Sequence, residues 1–313
     1  MTKRKSRLFV FGCSFTMYAW PTYADFLGYE FDHYENWGFP GLGNRAIAER
    51  VAECHIKNNF TEDDTVIVQW STHIRHDWHT FKRSSLQRGD AIRNTEEIGW
   101  KTKGSIFNYL NRENCYDDKW IETFWDEHSY FMHGQNNIIL TQGLLESTKC
   151  TYRMLSIGDM EKLGTDMPDF PGFGETTQEQ VDVYKDKTEL QVYKNIDKTN
   201  WLEPLGLFAW KNKKEQYTFY DPNTKKDWVE MHPSHWQHYR YLNEIVRPSL
   251  GIKDKNNDKQ VSTVDTLDKL KDENKDLLSF EKGILEATVH SIEKGTNREV
   301  SIPFFPVAKS TKE

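Results

Sequence analysis

The stretch LFVFGCSFTMYAW, residues 8–20, decides how the N-terminal half of the chain is read. Residues 8–11 form a short apolar run, the length and character of a strand buried on both faces. The run breaks at once into Gly12, Cys13, Ser14, Phe15 and Thr16. A hydroxyl placed directly after a buried strand is either an ordinary junction or a side chain that the strand holds up for chemistry. The basic start MTKRKSR before it loosely imitates a secretory leader. The apolar run is too short for one and no clean cleavage site follows, so residues 8–11 read as a first strand behind a solvated basic start.

Outward from this point, strands and helices alternate. Residues 19–27 suit a short helix and residues 29–34 a second strand. ENWGFPGLGN (35–44) is dense in turn residues. Residues 45–56 carry helical spacing through Ile47, Val51 and Cys54, and DTVIVQW (64–70) is the clearest strand. Residues 117–147 predict one long helix or two, 151–157 another strand, and 235–246 a terminal helix with Trp236, Tyr239, Leu242 and Ile245 on one side. This order predicts an α/β fold with a central parallel sheet, residues 1–252, interrupted by irregular insertions near 73–114 and 158–226. A polar linker follows. Residues 261–292 then space Val264, Leu267, Leu270, Leu277, Leu278, Ile284, Leu285, Val289 and Ile292 in a charged background. That pattern predicts an amphipathic helical tail within 253–313, packed on the main domain, on a partner or on a second copy.

Composition excludes several classes. At 313 residues the chain suffices for one large domain with an appendage. A net charge of −7 argues against a general phosphate-binding surface, so no nucleic-acid partner is expected. No apolar stretch reaches the ~18 residues of a membrane span, so no membrane partner is expected either. Cys13, Cys54, Cys115 and Cys150 are widely spaced without a CxxC pair, which reads as free thiols in a reducing, cytoplasmic compartment. The 11 tryptophans allow a sugar-binding cleft, with Trp20, Trp37 and Trp70 nearest the strand ends, although core packing is the commoner use.

Three signals fall at carboxyl ends of predicted strands, where open parallel sheets hold ligands: Ser14, the turn from Asn36 to Gly41, and Gln69-Trp70-Ser71-Thr72. A fourth, MHPSHWQH, places His232 before the last helix of the domain. The set GCSFT, NWGFPG and HPSHWQHYRYLNEIVRPSLG resembles the SGNH/GDSL hydrolase family, most closely its members encoded by tailed bacteriophages. The resemblance implies a flavodoxin-like three-layer sandwich and an esterase with no cofactor. It assigns Ser14 as nucleophile, His232 as base, and the backbone N–H groups of Ser14 and Gly41 as oxyanion donors. Cys13 stands where the family has aspartate. The family's third-block asparagine is replaced here, leaving Ser71, Thr72 or Asn44 as the third donor. Val229 occupies the usual place of the carboxylate that orients the histidine, leaving Glu230 or Asp227 to serve from a shifted loop.

Two histidine triplets, His73/His76/His79 and His232/His235/His238, have spacing that can bind zinc. The plainer reading makes His232 catalytic and the others polar surface or supporting groups, with no metal and with His76 and Asp77 solvated. The leading expectation is therefore a serine esterase acting on a small ester or an acylated glycan, O-acetyl groups included. The alternative is a weak or inactive relative serving as a binding or virion component, docked through residues 261–292.

Overall fold

β1 (Arg7–Phe11) sends alternate side chains to two apolar layers: Leu8 and Val10 into one, Phe9 and Phe11 into the other. The computed structural model describes residues 6–73, 75–80, 99–105, 118–124, 126–158, 194–253, 257–295 and 298–300. Its central sheet joins β1 to β2 (His33–Asn36), β3 (Asp64–Trp70), β6 (Thr151–Ser156) and β9 (Arg298–Val300). The strand order is β6-β3-β1-β2-β9 and every pairing is parallel. Helices cover both faces. α2 (Asn44–Asn58) and α4 (Glu127–Thr148) bury Ile47, Val51, Phe131, Ile138 and Leu145 against Phe9, Phe11, Val66 and Val68. On the other face lie α1 (Tyr23–Gly28), α5 (Leu205–Lys211) and α6 (His235–Tyr241), which bury Phe26, Leu205, Phe208 and Tyr241 around Leu8, Val10 and Ile67. A parallel α/β sheet between two helical layers is what the alternating pattern predicts.

Several elements differ from expectation. Arg7 is not solvated leader but the first residue of β1. Its guanidinium donates to both oxygens of Asp64 at 2.7 and 2.6 Å and clamps the amino ends of β1 and β3. β2 begins later than the apolar residues suggest, because Glu35 and Asn36 are buried within it. Glu35 accepts from the Trp37 indole at 2.7 Å, so a carboxylate occupies a strand interior with its partners present. The insertion after residue 73 holds an antiparallel hairpin, β4 (Arg75–Thr80) with β5 (Gly99–Ser105), then α3 (Asp118–Phe124). Asp77 there is buried, not solvated. Its carboxylate accepts from the backbone N–H groups of Gly43 and Ala46 at the start of α2. The second insertion contains α5 and the hairpin β7 (Thr218–Asp221) with β8 (Lys226–Val229). Residues 81–98, 106–117 and 159–193 of these insertions, and Cys115, lie outside the described residues. Cys13, Cys54 and Cys150 are free and buried. No described helix is long and apolar enough to cross a membrane.

α6 runs on through a π-helical turn (Leu242–Val246) into α7 (Arg247–Leu250). The tail helices α8 (Asn257–Glu273) and α9 (Leu277–Gly295) fold back on this face, with Val264, Leu267, Phe280 and Ile284 in its core. Arg247 is paired with Glu30 and donates to Gln260 at 2.6 Å, joining α7 to the tail. Asp268 of α8 accepts from the Trp236 indole at 2.8 Å and meets His235 Nε2 at 3.2 Å.

His235 and His238 are fully buried, contrary to a surface reading of the second triplet. Burial, with smaller contributions from His232 and His235, pushes the His238 imidazole down to about 3. The unfolded imidazole titrates near 6.5, so the unfolded chain takes up this proton first as the pH falls. The stability from burying neutral His238 is thus complete above about pH 6.5 and erodes below it at about 1.4 kcal/mol per pH unit. Urea unfolding at pH 7.5 and 4.5 should show a loss of about 2–3 kcal/mol, with a smaller loss in His238→Gln. Equal pH slopes in the two proteins would contradict this account.

Candidate active site

Ser14 follows β1 in a tight turn, in which the N–H groups of Thr16 and Met17 both donate to Cys13 O, at 3.0 and 3.1 Å. Gly12 makes the turn possible, since a Cβ there would fall 2.2 Å from Thr16 Oγ1 and 3.0 Å from Gln69. Thr16 Oγ1 donates to Gln69 Oε1 at 2.5 Å, so the end of β3 braces the serine turn. Asn36, at the end of β2, donates from Nδ2 to Thr16 O at 2.9 Å and accepts from Gly38 N at 2.9 Å. The second sequence block is thereby tied to the first. Gly41 has φ of 86°, a left-handed conformation that side chains disfavour.

His232 reaches the same place from the loop after β8. Its Nε2 lies 2.9 Å from Ser14 Oγ and its Nδ1 lies 2.6 Å from Glu230 Oε1. An ionised carboxylate only accepts, so Nδ1 carries the proton and Nε2 presents its lone pair to the serine hydroxyl. Glu230 also accepts from His232 N at 3.1 Å, and its own N–H donates to Tyr217 O at 2.9 Å. On the far side of the histidine, Pro233 O accepts from the Trp20 indole at 2.9 Å and Ser234 caps α6. Tyr18 stacks on the imidazole, with ring centroids 3.8 Å apart and planes at 21°, and Phe15 meets it edge-on. Ser14 is 5% and Glu230 5% exposed, so both polar groups work in a largely water-excluded setting.

The structure brings Ser14, His232 and Glu230 into one line of contacts. It leaves Asp227 on the exposed strand β8, opposite Tyr220, away from this line. Val229 is exposed as well. Of the alternatives for a third oxyanion donor, Asn44 and Ser71 are buried together. Asn44 Oδ1 accepts from Ser71 N at 2.8 Å, which turns its Nδ2 end into a donor for other groups. Both residues line a cavity beyond β3 with Thr72 and His73. Trp20, Trp37 and Trp70 are core residues, each no more than 2% exposed, and offer no face to a sugar. Among the described residues no group of histidine, cysteine or acidic side chains is arranged to hold a metal, and the side chain of His79 is not described. Gln69 lay in the third sequence block, but its bond to Thr16 was not foreseen, and Tyr18 carried no signal in the sequence, because both contacts join parts of the chain that only the fold brings together.

No family model and no curated protein matches this chain. Among solved structures, one similar chain is a member of the lipolytic protein G-D-S-L family from Veillonella parvula DSM 2008. It is 11% identical, with a TM-score of 0.36, over 76% of this chain and 97% of that one. The likeness at that level is a distant one, and the site rests on its own geometry.

Proposed function

We propose that the chain is a serine hydrolase of carboxylic esters, built as a flavodoxin-like sandwich of the SGNH type. The observation that carries this reading is the contact line from Ser14 Oγ through the His232 imidazole to Glu230. A neutral hydroxyl is a poor nucleophile at pH 7, and a histidine at hydrogen-bond distance on its lone-pair side supplies the missing base. Ser14 Oγ attacks the ester carbonyl carbon while its proton passes to His232 Nε2. The carbonyl electrons move to oxygen, and the resulting oxyanion is held by the N–H groups of Ser14 and Gly41, with Asn44 or Thr72 as the third donor. Collapse breaks the carbon–oxygen bond to the alcohol, which leaves with the proton from His232. Water then attacks the acyl-serine, giving its proton to His232, and the acid departs as Ser14 regains its hydrogen. Glu230 stabilises the imidazolium in both halves and fixes its tautomer.

The test is pre-steady-state hydrolysis of 4-nitrophenyl acetate. An acyl-enzyme route predicts rapid release of nitrophenolate, close to one equivalent per chain, before slower turnover. Release no faster than in buffer contradicts the reading.

A further inference from the structure

The sheet order places β1 with β2 on one side and β3 on the other. The chain therefore reverses direction across β1, and a crevice opens between the carboxyl ends of β1 and β3. Ser14 stands at one lip. The cavity beyond the other lip is lined by Asn44, Ser71, Thr72, Phe131, Gln135 and Ser156, together with His73 and Gly158. Among its polar atoms, Ser71 Oγ and Gln135 Oε1 have no hydrogen-bond partner among the described residues. Both side chains are buried, at 4% and 1% exposure. Leaving such atoms unpaired is costly, which is why buried polar atoms normally have a partner. Their neighbours are already engaged, with Ser156 Oγ donating to Gly158 O at 2.5 Å and Asn44 Oδ1 taking Ser71 N–H. No lysine, arginine, aspartate or glutamate is among the described lining residues, and His73 is the one ionisable side chain there, so the lining offers mainly neutral hydrogen-bonding groups.

We propose that this cavity is a substrate subsite for a hydroxyl group, with Gln135 Oε1 accepting its hydrogen and Ser71 Oγ donating to its oxygen. A hydroxyl is the small neutral group that both donates and accepts, and it satisfies both orphan atoms at once. The preferred ester is then one whose alcohol carries further hydroxyls, as a sugar does, and Gln135 is a specificity-determining residue. The inference rests on the serine hydrolase reading for its kinetic form.

The measurement is the ratio of kcat/KM for 6-O-acetylglucose to that for (tetrahydropyran-2-yl)methyl acetate, the same skeleton without hydroxyls. The wild-type ratio should exceed about ten, and Gln135→Met should cut it about tenfold, through KM. A wild-type ratio near one, or a ratio unmoved by Gln135→Met, overturns the proposal and leaves the cavity to an enclosed water only. If Gln135→Met does not fold, the wild-type ratio decides alone. If wild-type protein hydrolyses neither ester and Ser14 resists phosphonylation, the hydrolase reading has failed, and saturation-transfer NMR with methyl glucoside judges the subsite. Transfer to wild type that Gln135→Met abolishes upholds the subsite, and no transfer to wild type overturns it.

Discussion

Ser14→Ala is expected to lower kcat/KM for 4-nitrophenyl acetate on the order of 10⁵-fold, leaving only what binding and oxyanion donors supply. The substitution removes a single oxygen from a residue packed in a turn, and the turn's own hydrogen bonds are made by the backbone of Cys13, Thr16 and Met17. The fold should therefore be untouched, and unchanged unfolding by urea is the control. His232→Ala should cost about as much, and the double variant little more than either alone, because nucleophile and base act as one unit. Additive losses would mean that the 2.9 Å contact between them is not part of a shared step.

The second large effect is expected at Glu230. Glu230→Gln keeps the shape of the side chain but replaces half of the carboxylate with an amide donor. Either the amide N–H faces Nδ1 and drives the proton to Nε2, where it blocks the serine, or the imidazolium loses its counter-charge. The expected loss in kcat is on the order of 10³- to 10⁴-fold, with KM for a small ester little changed. Asp227→Asn, on the exposed strand β8, should leave kcat within about twofold, as surface substitutions away from a site usually do. A larger loss at Asp227 than at Glu230 would contradict the assignment of the orienting carboxylate.

Much of this arrangement was legible in the sequence for physical reasons. A strand buried on both faces tends to carry an unbroken apolar run, so residues 8–11 and the centre of 64–70 announced themselves. Small and turn-forming residues after such strands marked where the chain stops pairing, and Ser14, Asn36 and Gly41 all lie there. The second strand was misplaced because Glu35 and Asn36 are polar residues inside a sheet. Their partners, the indole of Trp37 and the backbone of Thr16 and Gly38, are fixed only in the folded chain. The carboxylate that meets His232 was readable only as a choice between Glu230 and Asp227. What separates them is the end of β8, where pairing with β7 stops at Val229 and the next side chain is free to turn toward His232. The burial of His235 and His238 had no local signal at all. It depends on Tyr217, Tyr23 and Asp268, brought from distant parts of the chain. The tail pattern showed an apolar face but not its cover, which proved to be the helical layer containing α1, α6 and α7.

The most direct test of the account is labelling of the folded wild-type chain with a fluorophosphonate, read out by peptide mass spectrometry. The account predicts a single phosphonyl adduct on Ser14, absent in His232→Ala and strongly slowed in Glu230→Gln. A folded protein that takes up no label, or that carries it on another residue, would contradict the claim that Ser14, His232 and Glu230 form a working nucleophile.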